Sequence, residues 1–154
     1  LGIVGERDGA VAAARAGVRA IHCEKPVADT WGAARAMADA CREHGVQLSF
    51  NHQRRWLDAF QTARRLIRDG AIGPLRRLEG ACDNMMDWGT HWINMFLFLN
   101  DETPAAWVLG QVDARAPKTV YGVRHDTHGI AWIGFANGVT GLLATGEDAE
   151  TRLG

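Results

Sequence analysis

Lysine is scarce in this sequence, and so is any excess of charge of one sign. The 154 residues carry 17 Lys and Arg against 18 Asp and Glu, for a formal net charge of −1. Lysine occurs only at Lys25 and Lys118, so almost all positive charge is arginine. A balanced charge argues against a nucleic-acid-binding arm or a basic membrane-binding patch. We therefore expect neither nucleic acid nor a membrane as a partner.

Long hydrophobic runs are also absent. The longest apolar run is far below the ~20 residues that a membrane-spanning helix needs. The start at Leu1 has no initiator methionine and none of the three regions of a signal peptide. We expect that the start has been processed or that the chain is a piece of a longer protein. With 47% hydrophobic residues, the chain can still form a real core.

Cysteine is rare, and no two cysteines lie close together in the sequence. Cys23, Cys41 and Cys82 are an odd number with no C-x-x-C, which indicates neither a disulfide framework nor a structural zinc site. We expect buried thiols in a reducing, cytoplasmic environment. His125 and His128 form an H-x-x-H, but glycines lie nearby, so turn histidines are favoured and no metal is expected.

The first third of the chain has the rhythm of a parallel sheet. The pattern predicts a helix over 8–16, a strand over 18–23, a second helix ending at Gly45 and a strand over 46–50. Asp29 or Thr30 can cap the second helix. Alternating helices and strands of this kind predict an α/β fold.

The rest of the chain has a different pattern. We predict helices over 57–69 and 87–99, and strands over 75–82, 107–113, 128–135 and 139–145. Asn137-Gly138 between the last two strands is a strong hairpin signal. These elements predict an α+β domain with a mainly antiparallel sheet and a helix on one face. We place the domain boundary between 1–55 and 56–154.

Three side chains have the chemistry that oxidation of an alcohol needs. Such a reaction requires a base for the hydroxyl proton and a cation beside the developing alkoxide. Lys25 follows a predicted parallel strand, at the sheet edge where ligands bind in open α/β folds. Asp87 and His91 are four residues apart on a predicted helix and share one face of it.

Each of these residues also has an ordinary structural interpretation. Asp87 can cap its helix, because carboxylates are favourable at helix N-termini. His91 lies among large apolar residues and by itself is more typical of a core histidine. Lys25 can be a solvated loop residue. From the residues alone, the sequence supports an α/β protein with a candidate acid–base site.

Four motifs, in order, resemble the glucose-fructose oxidoreductase, inositol dehydrogenase and MocA (Gfo/Idh/MocA) family. They are Glu24-Lys25-Pro26, the arginine pair and aromatic of Arg54–Trp56, the link Asp69–Gly73, and Asp87–Asn94, which is similar to the family's D-x-G-x-H-x-x-D signature. The resemblance implies a partial Rossmann-like parallel sheet before a partial substrate domain. It also implies an NAD- or NADP-dependent dehydrogenase of sugars, cyclitols or related polyols that forms homo-oligomers through the C-terminal sheet.

The resemblance also implies roles for individual residues. The catalytic residues are Lys25, Asp87 and His91, with His91 transferring the proton. The cofactor-binding residues are Glu24, Lys25, Pro26, Gln53 and Arg54.

The sequence departs from the family pattern at several points. Asn94 replaces the last aspartate of the histidine signature. The segment from Gly80 to Asp87 is shorter than the glycine-rich loop of many family members, so the wall of the substrate pocket and the identity of the sugar stay open. The family's G-x-G-x-x-G turn, which binds the cofactor pyrophosphate, does not occur in the sequence. We therefore expect an internal fragment that by itself binds the cofactor weakly or not at all.

Two other hypotheses remain open at this point. The chain can be a stand-alone, non-catalytic relic that acts as an assembly partner through an exposed sheet. Metal-dependent hydrolysis with Asp87, His91, His125 and His128 ranks last, because these residues match no known ligand spacing.

Overall fold

The computed structural model describes residues 3–113, 115, 118–120, 123–146 and 149. Contacts divide the described chain into two units. The first unit comprises the residues up to Asn51 together with Thr119–Arg124, and the second comprises His52–Lys118 and the residues from His125 onward. The boundary between residues 55 and 56 stays a prediction.

The first unit contains the predicted pair of parallel strands. Its elements are helix α1 (Ile3–Arg15), strand β1 (Ala20–Cys23), helix α2 (Trp31–Glu43) and strand β2 (Gln47–Phe50). Strand β1 pairs with β2 in parallel, with Ala20 opposite Gln47 and Cys23 opposite Phe50. The expected α/β fold is confirmed. Helix α1 begins five residues earlier than the predicted Asp8.

Helix α2 shows why these boundaries can be read from local sequence. The Thr30 hydroxyl accepts a hydrogen bond from the Ala33 amide at 3.2 Å, so Thr30 is the cap. Ala33, Met37 and Cys41 recur every four residues and form the buried face. Gly45 follows the helix with φ +68°, a left-handed conformation that glycine adopts without strain.

The second unit begins with a 3₁₀-helix at Gln53–Trp56 and helix α3 (Asp58–Arg68). Strand β3 (Arg77–Cys82) leads into a five-residue π-helix, Met85–Gly89, which continues directly as helix α4 (Thr90–Leu99). The remaining strands of the second unit are β4 (Ala105–Asp113), β7 (His128–Phe135) and β8 (Thr140–Thr145). Strands β5 (Lys118–Val120) and β6 (Val123–His125) lie mostly in the first unit. Strands β5 and β6, which pair with each other, are not in the sequence-based assignment.

The main sheet has the strand order β3-β8-β7-β4. Strands β7 and β8 form the predicted antiparallel hairpin, and Gly138 in its turn has φ +85°. Strand β3 pairs with β8 in parallel, so the sheet is mixed but mainly antiparallel. This pairing is possible because helix α4 and the intervening strands provide the long crossover that parallel neighbours require.

The two faces of this sheet differ in cover. Helix α4 packs on one face, where Phe96 meets Ile133, Phe135 and Leu143 in the buried core. The glycine at position 141 lets the Phe96 ring approach, because a Cβ there would lie 2.9 Å from the ring. On the opposite face, four large side chains are about half exposed or more: Trp107, Leu109, Ile130 and Trp132.

In the described part of the chain, no helix has both the length and the apolar character that crossing a membrane requires.

Candidate active site

The first set of predicted site residues lies at the carboxyl end of β1. Glu24, Lys25 and Pro26 follow Cys23 directly, and the Lys25–Pro26 peptide bond is cis. Because β1 and β2 are parallel and in register, Asn51 leaves the sheet beside Glu24. The Asn51 amide donates to the Glu24 carboxylate at 2.7 Å, and the Asn51 N–H donates to the Cys23 carbonyl at 2.9 Å. The two strand ends are thereby held together.

The second set lies in the second unit. Gln53 and Arg54 occupy the 3₁₀-helix, where Gln53 is exposed and Arg54 is half-buried. The Arg54 guanidinium carbon lies 5.3 Å from the ring centre of Trp88, within the range of a cation–π interaction. Its Nη1 is buried and has no acceptor among the described residues. This nitrogen can therefore donate to an oxygen of a bound molecule.

His91 is a buried residue in the first turn of α4, with 4% of its surface exposed. Its ring centre lies 5.8 Å from that of His52, and the two imidazoles are nearly perpendicular. The Trp88 ring centre is 6.3 Å from that of His91, and the two rings are tilted by 57°. Low exposure limits competition from water for proton transfer at this imidazole.

Asp87 lies in the π-helix, one turn before His91. The N-cap of this segment is Asn84, so the interpretation that Asp87 caps its helix is wrong. Asn84 has an extended backbone, and its side-chain oxygen accepts from the Asp87 and Trp88 amides at 2.7 and 3.2 Å. The Asp87 side chain is thus not used as the N-cap of its helix.

Asn94 stands at the position where the family signature has an aspartate. Its side-chain oxygen accepts from Arg55 Nε at 2.7 Å, and the same guanidinium binds the Glu102 carboxylate at 2.6 Å. The substitution therefore keeps a hydrogen-bond acceptor for Arg55. This arginine joins the 3₁₀-helix to α4, and so links the segment carrying Arg54 to the helix carrying His91.

The described residues contain no ligand set for the hypothesis of metal-dependent hydrolysis. In that part of the chain, no group of three or more His, Cys, Asp or Glu side chains could hold a metal ion. His125 is buried and His128 is exposed, so the two histidines differ in environment. All three cysteines are free thiols.

The structure groups the predicted residues by unit. Glu24, Lys25 and Pro26 belong to the first, and the other predicted site residues belong to the second: Gln53, Arg54, Asp87 and His91. The sequence did not indicate that His52 lies beside His91, whereas Trp88 is one of the large apolar residues around His91 in the sequence. His52 directly follows the strand-end residue Asn51, which was the available signal. Nothing in the local pattern of Trp88 distinguishes it from a core aromatic.

Part of the chain is similar in sequence to known oxidoreductases. Residues 6–52 match the Gfo/Idh/MocA model, which describes an oxidoreductase family with an NAD-binding Rossmann fold. The D-apiose dehydrogenase of Paraburkholderia graminis is 52% identical over 61 residues, which are 40% of this chain and 16% of that protein. The levoglucosan dehydrogenase of Pseudarthrobacter phenanthrenivorans is 37% identical over 81 residues, or 51% of this chain and 20% of that protein.

A solved structure extends the likeness of fold to nearly the whole chain. The WlbA dehydrogenase from Bordetella pertussis, in complex with NADH and UDP-GlcNAcA, has a TM-score of 0.78 and 20% identity over 95% of this chain. The match covers 49% of the WlbA chain, so the present chain spans about half of its length. Through residues 6–52, the chain is therefore similar to the Gfo/Idh/MocA family of oxidoreductases.

Proposed function

We propose that the protein containing this chain is an NAD- or NADP-dependent dehydrogenase of a sugar, a cyclitol or a related polyol. The observation that carries the proposal is the buried His91 in the first turn of α4, beside His52 and Trp88. An imidazole is well suited to accept a proton from a substrate hydroxyl, because its ordinary pKa lies near neutrality. The match of residues 6–52 to the Gfo/Idh/MocA model and the names of the two similar sugar dehydrogenases support the same substrate class.

The residues that would bind the cofactor have suitable chemistry. Glu24 provides a carboxylate beside the Asn51 amide at the carboxyl edge of the parallel strands, a pairing suited to ribose hydroxyls. Arg54 provides a buried N–H without an acceptor among the described residues. We therefore assign cofactor binding to Glu24, Lys25, Pro26, Gln53 and Arg54. When bound, the nicotinamide would accept the hydride from the substrate carbon.

We assign the proton chemistry to three side chains. His91 accepts the hydroxyl proton, and its burial shields that proton from bulk water. Lys25 stabilises the developing alkoxide through its positive charge. Asp87 favours the protonated form of the base through its negative charge. The order of the family motifs along the chain supports this assignment.

Substitution of His91 tests the proposal. The full reading frame that encodes this chain would be expressed, and reduction of NAD⁺ or NADP⁺ measured with D-apiose, levoglucosan and myo-inositol. His91→Ala is expected to lower turnover by about 10²-fold or more, because a general base is lost. Lys25→Ala is expected to lower turnover on the same scale, because the cation beside the alkoxide is lost.

The matched control is His44→Ala. His44 is an exposed histidine that follows α2, and its backbone N–H makes the helix-end hydrogen bonds. Its replacement is expected to leave turnover unchanged. Near-normal turnover in both the His91 and the Lys25 variant would refute the assigned roles.

We also propose that the protein forms homo-oligomers through the open face of the main sheet. The uncovered aromatic and aliphatic side chains there are the supporting observation, because exposed apolar patches of this kind mark interaction sites. The assembly would bring together two copies of the same face.

A further inference from the structure

Asp126 makes an unusual set of contacts for a residue outside the predicted site. Its carboxylate accepts from the Met85 amide at 2.9 and 3.0 Å and from the Met86 amide at 3.2 Å. It also accepts from the Thr145 hydroxyl at 3.1 Å, at the end of β8. The Thr145 residue is only 4% exposed. Asp126 therefore connects the π-helix to the sheet.

The contacts complete the start of the helical segment. The first backbone N–H groups of a helix have no partner within the helix and must be satisfied from outside. Asp126 satisfies Met85 and Met86, and Asn84 satisfies the next two, Asp87 and Trp88. Asn84 thus caps the segment locally, and Asp126 caps it from 41 residues away in the sequence.

A carboxylate is the favourable group at this position. The N-terminus of a helix carries partial positive charge, and a charged acceptor forms stronger hydrogen bonds with N–H groups than a neutral one. The segment that it caps is also tightly packed, because a Cβ at position 89 would lie 3.2 Å from the Asn84 carbonyl oxygen and from the Met85 sulfur. Movement of the first turn would therefore be transmitted to the residues that follow.

We propose that Asp126 is a positioning residue for the reaction, which holds the turn carrying Asp87 and His91 in place against the end of β8. It acts through these two residues and does not itself touch the reacting atoms. This inference rests on the proposed function, because the position of His91 matters for the rate only if His91 accepts the substrate proton. A displacement of about 1 Å at a reacting group can cost about 10²-fold in rate.

The first test is kinetic. Asp126→Ala is expected to lower kcat about tenfold or more while KM changes less than about threefold, because the turn loses its position and the binding residues remain. Asp126→Asn keeps one acceptor oxygen and is expected to retain more kcat than Asp126→Ala. The assay is the nicotinamide reduction described above, with the same sugars.

A matched control separates positioning from loss of stability. Thr30→Ala removes the cap of α2, in the first unit, and is expected to lower the melting temperature without lowering kcat. In the His91→Ala background, Asp126→Ala is expected to cause little further loss of kcat, because the side chain through which it acts is absent. A merely structural effect would add to the His91 loss.

The second test needs neither cofactor nor substrate. Hydrogen exchange of the peptide containing Met85 and Met86 is expected to be about tenfold faster or more in Asp126→Ala, and unchanged in Thr30→Ala. If His91→Ala leaves turnover intact, the proposed function fails while the exchange result still tests the cap. If His91→Ala abolishes turnover but Asp126→Ala keeps kcat within about twofold, or exchange is unchanged, the positioning role is overturned.

Discussion

At the scale of the residue, burial decides what an ionisable side chain can do. The Cys82 thiol at the end of β3 is half-buried and donates to the Asn84 carbonyl at 3.4 Å. Burial raises the pKa of this thiol to about 11, and the negative charges of Asp126 and Asp83 add to the effect. Cys82 is thus kept as a protonated thiol through the neutral range, in an environment unlike that of a reactive cysteine.

This pKa predicts slow alkylation of Cys82. Only the thiolate reacts, and its fraction falls about tenfold for each unit by which the pKa exceeds the pH. At pH 8, iodoacetamide is expected to label Cys82 in the folded protein about 10²-fold more slowly than in urea. The rate should rise with pH toward 11. Equal labelling rates in folded and unfolded protein, followed by mass spectrometry of the Cys82 peptide, would contradict the prediction.

At the scale of the element, charged contacts attach helix α3 to the end of α4. Asp101 accepts from Arg64 at 3.0 Å and from Arg68 at 2.7 Å, in a left-handed backbone conformation with φ 51°. Burial acts to raise the pKa of Asp101, but these hydrogen bonds outweigh it and hold the pKa below its usual range. The Arg64 guanidinium also lies 4.4 Å from the Phe98 ring centre, so a core aromatic takes part in the attachment.

The turn of the β7–β8 hairpin depends on the positive φ of Gly138. A Cβ at Gly138 would meet nothing within 4 Å, so a substitution there changes only the backbone preference. Because φ is +85°, Gly138→Ala is expected to lower the free energy of unfolding by about 1–2 kcal/mol, and Gly138→Asn by less. Chemical denaturation measures both values.

Gly32→Ala is the matched control for the hairpin prediction. Gly32 lies inside α2 and also has nothing within 4 Å of a built Cβ. Alanine at this helical position is expected to raise the free energy of unfolding by up to about 1 kcal/mol. If Gly138→Ala is as stable as the unsubstituted protein, the positive φ at this position does not destabilise a residue with a Cβ.

At the scale of the whole molecule, the open face of the main sheet carries several exposed apolar side chains. The Trp107 and Trp132 ring centres are 6.0 Å apart in an edge-to-face arrangement, and Leu109 beside them is 67% exposed. Register places these residues on the face opposite α4, because Leu109 pairs with Trp132 and Ile133 points into the core. A second copy of the chain would remove this surface from water.

Leu109→Glu tests the proposed assembly. A charge in the middle of a self-associating apolar face is repeated in both copies, so the substitution is expected to shift the protein to a smaller species. Sedimentation velocity measures the change. Leu66→Glu is the control, since Leu66 is 44% exposed on α3, away from the sheet face. If the Leu109 variant sediments like the unsubstituted protein, the face is not the interface.

The elements of this protein were largely predictable because their signals are local. Thr30 at the start of α2, Gly45 at its end and Gly138 in the hairpin each act within a few residues, through a cap or a positive φ. The amphipathic spacing of Met37 and Cys41 is equally local. Strand β7 accordingly has the predicted bounds, His128–Phe135.

The candidate site was predictable only in part. Motif order and helical spacing, which are properties of the sequence, predict Lys25, Asp87 and His91 as site residues, and their roles stay predictions. The π-helix that carries Asp87 was not predicted, because the unusual turn depends on Asn84 and on packing around Gly89. The parallel pairing of β3 with β8 was also not predictable, because it depends on how the chain between these two strands crosses over in the fold.

Most of the helices and strands, the cap of α2 and the family motifs follow from the sequence alone, because these depend on neighbours along the chain. The tertiary structure alone decided that His52 lies beside His91 and that Asp126 caps a turn 41 residues away. It also decided that α4 packs on one face of the sheet while Trp107, Leu109 and Trp132 on the other face stay exposed. Such contacts join residues with no local relation, so they arise only when packing brings their elements together.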